Sequence, residues 1–147
     1  YLVTEYATDK NLYHRLYQPR LKLKKGINTD AAAQIAKQIC GAVEYLHGHH
    51  VIHRDIKPEN ILLTIVLAYY LGQHGQDMRL RMVDLQPDTE SQEHTFGTPL
   101  YLAPELIAQT YYDQSVDIWA IGVILYEMLT EESPFKIENA GDLRKIV

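Results

Sequence analysis

Apolar residues recur at Ile35, Ile39, Ala42, Val43 and Leu46, a three-and-four spacing that sets them on one face of a helix. Thr29-Asp30 supplies an N-cap and a first-turn acid for it, and the pattern carries the helix to about His47. A second helix is predicted from Ser115-Val116-Asp117 to about Thr130. From Ile118 to Tyr126 only Gly122 interrupts the apolar run, which is the pattern of a helix buried on every side, with Trp119 as a packing anchor. Asp9 to Leu16 reads as a short helix ended by Pro19. Val51-Ile52, Ile61-Leu62-Leu63 and Arg81-Met82-Val83 read as short strands.

Between the first helix and the second strand lies a polar stretch, His53-Arg54-Asp55-Ile56-Lys57-Pro58-Glu59-Asn60. It puts a carboxylate, a lysine and an amide within a few positions of one another. Transfer of a γ-phosphoryl group needs a carboxylate to orient and accept the proton of the attacking hydroxyl, a cation on the phosphate oxygens, and oxygen ligands for Mg²⁺. Asp55, Lys57 and Asn60 can supply these in order. Alone, such a run is also the composition of a charged turn after a helix.

The stretch resembles the catalytic loop of eukaryotic-type protein kinases, and two further landmarks follow in the family's order. Asp84 stands where the metal-binding Asp of the Asp-Phe-Gly string belongs, and Gly97-Thr98-Pro99-Leu100-Tyr101-Leu102-Ala103-Pro104-Glu105 is similar to the Ala-Pro-Glu end of the activation segment. The resemblance implies a mainly α (α+β) fold: a kinase-like helical large lobe with short β-hairpins around the catalytic loop and the small lobe missing. It covers residues 1–147 as a partial kinase domain, with a hinge at 1–9, the catalytic loop at 53–60, the activation segment at 84–105 and the central helix at about 115–130. The Gly-rich loop, the strand lysine and its helix glutamate precede the hinge in the family and are absent here, so the 147 residues alone are expected to give little or no turnover.

Carried over residue by residue, the resemblance makes Asp55 the group that takes the substrate hydroxyl's proton. It puts Lys57 on the transferring phosphate, which is also the mark of serine/threonine specificity, and Asn60 and Asp84 on Mg²⁺. Glu5 and Ala7 fall where hinge backbone meets adenine, Thr4 at the gatekeeper position, Leu62 beneath the base and Asn11 near the ribose; Glu59 borders the same ATP site. Arg54 implies control by a phosphate on the activation segment, with Thr95 as acceptor for an upstream activating kinase, and Thr98 contacts Asp55 and Lys57. The resemblance also implies that Asp117, near the start of the central helix, binds backbone of the catalytic loop. Glu59 and Glu127 stand where basic-directed relatives receive a substrate arginine, so the protein substrate is expected to carry basic residues near its acceptor. The subgroup resembled is the calmodulin-dependent and checkpoint branch.

Two departures bear on this. In Asp84-Leu85-Gln86 the family's glycine is replaced, at a point where the backbone turns without a side chain. The connection from Asn60 to Asp84 is about ten residues longer than the family's hairpin, and residues 64–78 are either a surface insertion or translated non-coding sequence. A pseudokinase-like binding scaffold and a truncated or mispredicted gene product therefore stand as alternatives to an ATP-dependent serine/threonine kinase.

Composition narrows the remaining choices. The net charge is −5, and no Lys/Arg stripe exists beyond Arg20 to Lys25, which argues against nucleic acid as a partner. The apolar run from Ile61 to Leu71 is too short to cross a bilayer, no signal peptide is visible, and an intracellular setting, cytoplasmic or nuclear, fits. Cys40 is the one cysteine, so no internal disulfide forms, and its place in the helical pattern predicts a core position. At 147 residues the chain suits one domain.

Overall fold

The computed structural model describes residues 9–17, 27–65, 78–82, 99–136 and 142. Among these residues, seven α-helices and strands run in the order β1 (Asp9–Asn11), α1 (Leu12–Tyr17), α2 (Thr29–Gly48), β2 (Ile61–Ile65), β3 (Met78–Met82), α3 (Pro104–Ile107) and α4 (Ser115–Thr130). The fold is mainly helical, with one small antiparallel sheet in the order β1-β2-β3. No helix among the described residues is long and apolar enough to cross a membrane.

α2 starts one residue earlier than Thr29 predicts. Asn28 is its cap, with Oδ1 accepting from the Ala31 amide at 2.8 Å and satisfying one of the donors a helix start leaves open. Ala32, Ile35, Ile39 and Val43 bury one stripe of α2, and the Ile27 amide donates to the Met128 carbonyl at 2.9 Å, tying the helix entry to α4. Cys40 is exposed, not in the core as expected. One residue past Ile39 is about 100° further round the helix, which takes Cys40 off the buried stripe.

α4 has the predicted bounds, but it is not buried on every side. Val116, Asp117, Ala120, Ile121, Val123, Ile124, Glu127 and Met128 are buried, whereas Ile118 (56%), Tyr126 (44%) and Leu129 (44%) remain exposed. α2 and the turn at Pro99–Tyr101 cover one side of α4, and among the described residues no element covers the stripe through Ile118, Tyr126 and Leu129. Trp119 stacks on Phe135 with ring centroids 5.6 Å apart and planes 6° from parallel, in keeping with a packing role.

The expected helix from Asp9 is corrected to a strand and then a helix. Residues 9–11 pair with β2, and the Asn11 Oδ1 accepts from the His14 amide at 3.0 Å, which starts α1 only at Leu12. Val51-Ile52 form no strand. The Val51 amide instead donates to the Leu46 carbonyl at 3.0 Å and helps close the end of α2. β2 and β3 pair from Ile61↔Met82 to Ile65↔Met78, so Thr64, Ile65 and Met78 belong to a hairpin ladder. Residues 66–77 between them lie outside the described residues.

Leu12, Ile35, Ile39, Val43, Ile61, Leu63, Ile124 and Met128 lie in one core between the sheet and the two long helices. The chain from Gly48 to β2 crosses this core as an irregular loop, and that loop carries the polar stretch.

Candidate functional site

Ile56 is 2% exposed and Pro58 is buried, so the loop is pinned to the core between its polar members. A 3₁₀ turn at Pro58–Asn60 follows, with proline's fixed φ at its first position. The pinning turns Asp55, Lys57 and Asn60 toward one point. The Lys57 ammonium lies 2.9 Å from Asp55 Oδ1 and 2.8 Å from Oδ2. The Asn60 amide nitrogen donates to the Asp55 carbonyl and to Asp55 Oδ2, both at 2.8 Å. Both side chains of the ion pair are about one-fifth exposed, at 18% for Lys57 and 22% for Asp55, so the cluster sits at the protein's surface within reach of a ligand.

The backbone behind this cluster hangs on one buried side chain from α4. Asp117 is 1% exposed, and its carboxylate accepts from the His53 amide at 2.9 Å, the Arg54 amide at 2.9 Å and His47 Nε2 at 2.8 Å. Arg54 has φ of 64°, a left-handed conformation that costs a residue with a side chain roughly 1–2 kcal/mol and persists only where the surroundings impose it. Two consecutive amides on one carboxylate impose it here. The Asp55 amide, directly after, donates to His53 Nδ1 at 3.3 Å.

Below the loop, a second acidic centre is built on α4. Glu127 is 1% exposed and accepts from the Tyr101 hydroxyl at 2.9 Å, and the Tyr17 phenol also bonds to it. Burial pushes the Glu127 carboxyl above its usual range; the two phenols pull it back, and the nearby Glu59 carboxylate pushes it up again. Burial, with the Glu127 charge behind it, likewise raises both tyrosines. Glu59 Oε2 is buried and has no hydrogen-bond partner among the described residues.

The other expected site residues fall as follows. Asn11 and Leu62 are cross-strand neighbours in β1 and β2, so the sheet brings them together, with the Asn11 oxygen engaged in capping α1. The Arg54 guanidinium donates to the Tyr112 hydroxyl at 3.2 Å. Glu5, Ala7, Asp84, Thr95 and Thr98 lie outside the described residues, as do Thr4, Leu85 and Gln86. Among the described residues no group of three or more His, Cys, Asp or Glu side chains is placed to hold a metal. Asn60 fits Mg²⁺ as a single ligand: both its hydrogen bonds use the amide nitrogen, which leaves a hard amide oxygen on its other side.

Three participants were not legible beforehand. His47, Tyr101 and Tyr17 reach Asp117 and Glu127 from 70, 26 and 110 positions away along the chain, and no local spacing signals such pairs. Tyr101 was visible only as part of the Gly97-to-Glu105 string, without a partner.

Comparison with known proteins identifies the family. The family model described as "Protein kinase domain" matches residues 1–147. The chain is 43% identical over 149 residues to the serine/threonine protein kinase ypkA of Aspergillus fumigatus, covering 100% of this chain and 22% of that protein. It is 37% identical over 137 residues to an Aurora kinase of Debaryomyces hansenii, covering 92% of this chain and 31% of that one. It is 36% identical over 148 residues to a calcium/calmodulin-dependent protein kinase type 1 of Macrobrachium nipponense, covering 97% and 39%. The chain thus spans well under half the length of these relatives. With the whole chain matched and the loop residues converging as they do, it belongs to the eukaryotic serine/threonine protein kinase family.

Proposed function

We propose that this chain carries the hydroxyl-activating side of an ATP-dependent phosphoryl transfer to serine or threonine in a protein substrate. The observation that carries the reading is the convergence of Lys57 and Asn60 on the Asp55 carboxylate at 2.8–2.9 Å. In the step, the substrate hydroxyl oxygen bonds the γ-phosphorus, the bond from that phosphorus to the bridging oxygen breaks, and ADP leaves. Asp55 orients the hydroxyl and takes its proton. Lys57 is close enough to exchange one Asp55 oxygen for a phosphate oxygen, placing positive charge where the transferring group carries negative charge.

Mg²⁺, when bound, neutralises phosphate charge; Asn60 would hold it through its amide oxygen, with Asp84 as the second protein ligand. Leu62 and Asn11 would border the nucleotide from the sheet, joined by Glu5 and Ala7 of the hinge. Arg54 would receive a phosphate placed on Thr95 by an activating kinase, and Thr98 would contact Asp55 and Lys57. Glu59 and Glu127 would favour a basic residue near the acceptor, a reading supported by the nearby Glu59 carboxylate, whose charge raises the proton affinity of Glu127.

The test is phosphate transfer from ATP to serine/threonine peptide arrays by the full-length protein. Asp55→Asn should lower kcat by roughly 10²–10⁴, the usual worth of a positioned general base, with the KM for ATP little changed. Unchanged kcat in Asp55→Asn would overturn the assignment. Arrays showing no preference for Arg or Lys near the acceptor would remove the role given to Glu59 and Glu127.

A further inference from the structure

Asp117 holds the catalytic-loop backbone, but a carboxylate on a two-bond stem can still turn about its own axis. We propose that His47, at the end of α2, is a positioning residue for phosphoryl transfer: it locks the rotation of Asp117 and so sets the backbone that aims Asp55. The inference deepens the function proposed above and rests on it for its catalytic consequence.

The geometry leaves little choice of roles. The two Asp117 oxygens face three donors at once. Oδ1 meets the Arg54 amide at 2.9 Å, while Oδ2 meets both the His53 amide at 2.9 Å and His47 Nε2 at 2.8 Å. A carboxylate oxygen already accepting from an amide has only lone pairs to offer, so Nε2 carries the hydrogen in this contact. Two amide bonds alone define an axis through the carboxylate and the loop. The imidazole approaches from α2, a different element, and closes the remaining direction.

What the lock protects is strained. Arg54 at φ 64° is flanked by the two amides that Asp117 holds, and Asp55 is the next residue. A small turn of the carboxylate would release one amide, let Arg54 relax toward negative φ, and swing the Asp55 carboxylate away from Lys57 and Asn60. His47 is also replaceable by solvent. Its side chain is 12% exposed and lines a surface cleft of about 430 Å³ between α2 and α4 with Cys40, Glu44, Gln114 and Ile118. Water entering in place of the ring would hydrate Asp117 without fixing its direction. The ring is largely covered by its neighbours, so the contribution of its hydrogen bond has to be separated from that of its volume.

Two side chains separate that role from packing. Phe keeps a ring and removes the donor; Gln removes the ring and carries an amide nitrogen to nearly the place of Nε2. Amide hydrogen exchange is measured on the full chain, reading His53 and Arg54 against Val123 and Ile124 in the middle of α4. His47→Phe should speed exchange at His53 and Arg54 roughly ten- to a hundredfold, the scale of one hydrogen bond to a charged acceptor, with Val123 and Ile124 unmoved. His47→Gln should stay within a few-fold of the parent. Unchanged exchange in His47→Phe, or equal acceleration in Phe and Gln, would overturn the proposal.

If the α4 amides accelerate together with the loop in His47→Phe, His47→Gln against His47→Asn decides. The Asn amide stops short of Asp117, so Asn should lose protection where Gln keeps it, and equal behaviour of the two overturns the lock. In phosphoryl transfer, kcat should fall in His47→Phe and return in His47→Gln. Transfer absent from every variant, the parent included, would strike the proposed function and leave the exchange result to judge His47 by itself.

Discussion

Replacing Tyr101 with Phe deletes one hydroxyl and nothing else, and the buried Glu127 makes its cost depend on pH in a direction that can be worked out. Tyr101 and Glu127 are 7% and 1% exposed, so no solvent competes for the bond between them at 2.9 Å. When Glu127 is ionised, Tyr101→Phe removes a charge-assisted bond worth about 1.5–3 kcal/mol; when Glu127 is protonated, it removes a neutral one worth about 0.5–1.5 kcal/mol. The difference, about 1 kcal/mol, corresponds to a further rise of somewhat under one pH unit in the folded-state titration of Glu127. That agrees with the Tyr101 bond being the largest influence that lowers it.

The sign follows from linkage. Glu127 titrates above its ordinary value of 4.5 in the fold, so the folded state binds the proton more tightly than the unfolded chain does. Stability contributed by this group is therefore highest below pH 4.5 and falls as pH rises toward the folded-state value. Tyr101→Phe extends that fall to higher pH. Urea denaturation midpoints at pH 4 and pH 8 measure it: Tyr101→Phe should cost about 1 kcal/mol more at pH 8 than at pH 4. Glu127→Gln should remove the difference, because an amide accepts from both phenols without titrating. An equal cost at both pH values, or a larger one in acid, would refute the reasoning.

Substitutions at three further positions probe single features of the fold. Asp117→Ala strands the His53 and Arg54 amides in the interior and should cost about 3–5 kcal/mol in urea denaturation, with Asp117→Asn, which keeps one acceptor oxygen, losing visibly less. Glu131 ends α4 at φ 60° and is exposed, so Glu131→Gly should stabilise by about 1 kcal/mol, read as a raised thermal midpoint. Asn28→Ala removes the α2 cap and should cost about 1 kcal/mol by the same measurement.

Local chemistry was legible in the sequence, and contact across the fold was not. Asp55, Lys57 and Asn60 lie within six positions, so one turn fixes their mutual geometry and the residue types alone suggest the chemistry. The bounds of α4 and the end of α2 near His47 follow from apolar spacing, because each helix reads its own 3.6-residue period. Val51-Ile52 show the limit: β-branched residues favour a strand only where a partner strand exists, and here the partners of β2 are β1 and β3. Cys40 shows another, since membership of an apolar pattern does not say which side of the stripe a residue takes. The exposed Ile118, Tyr126 and Leu129 show a third. An all-apolar helix declares how much surface it can bury, while the elements packed on it decide how much it does.

The loop's chemistry is local but its precision is borrowed. Asp55 meets Lys57 and Asn60 through bonds that span two and five positions, yet the backbone beneath them is held by a carboxylate 62 residues downstream of Asp55 and, through it, by a histidine from a different helix. Asp117 and His47 keep their distance only because Ile35, Ile39 and Val43 of α2 share a core with Ile124 and Met128 of α4. On the function proposed above, packing between the two helices is thus upstream of catalysis in the causal chain. A methylene removed at Ile39 costs stability, as in any core, and it also changes the separation on which the Asp117 bonds depend, where a shift of a few tenths of an ångström is a large fraction of a hydrogen bond's tolerance. Core substitutions between α2 and α4 should therefore lower kcat before they unfold the protein, whereas Asn28→Ala, which removes an exposed cap at the opposite end of α2 from His47, should leave the kcat of the folded fraction intact.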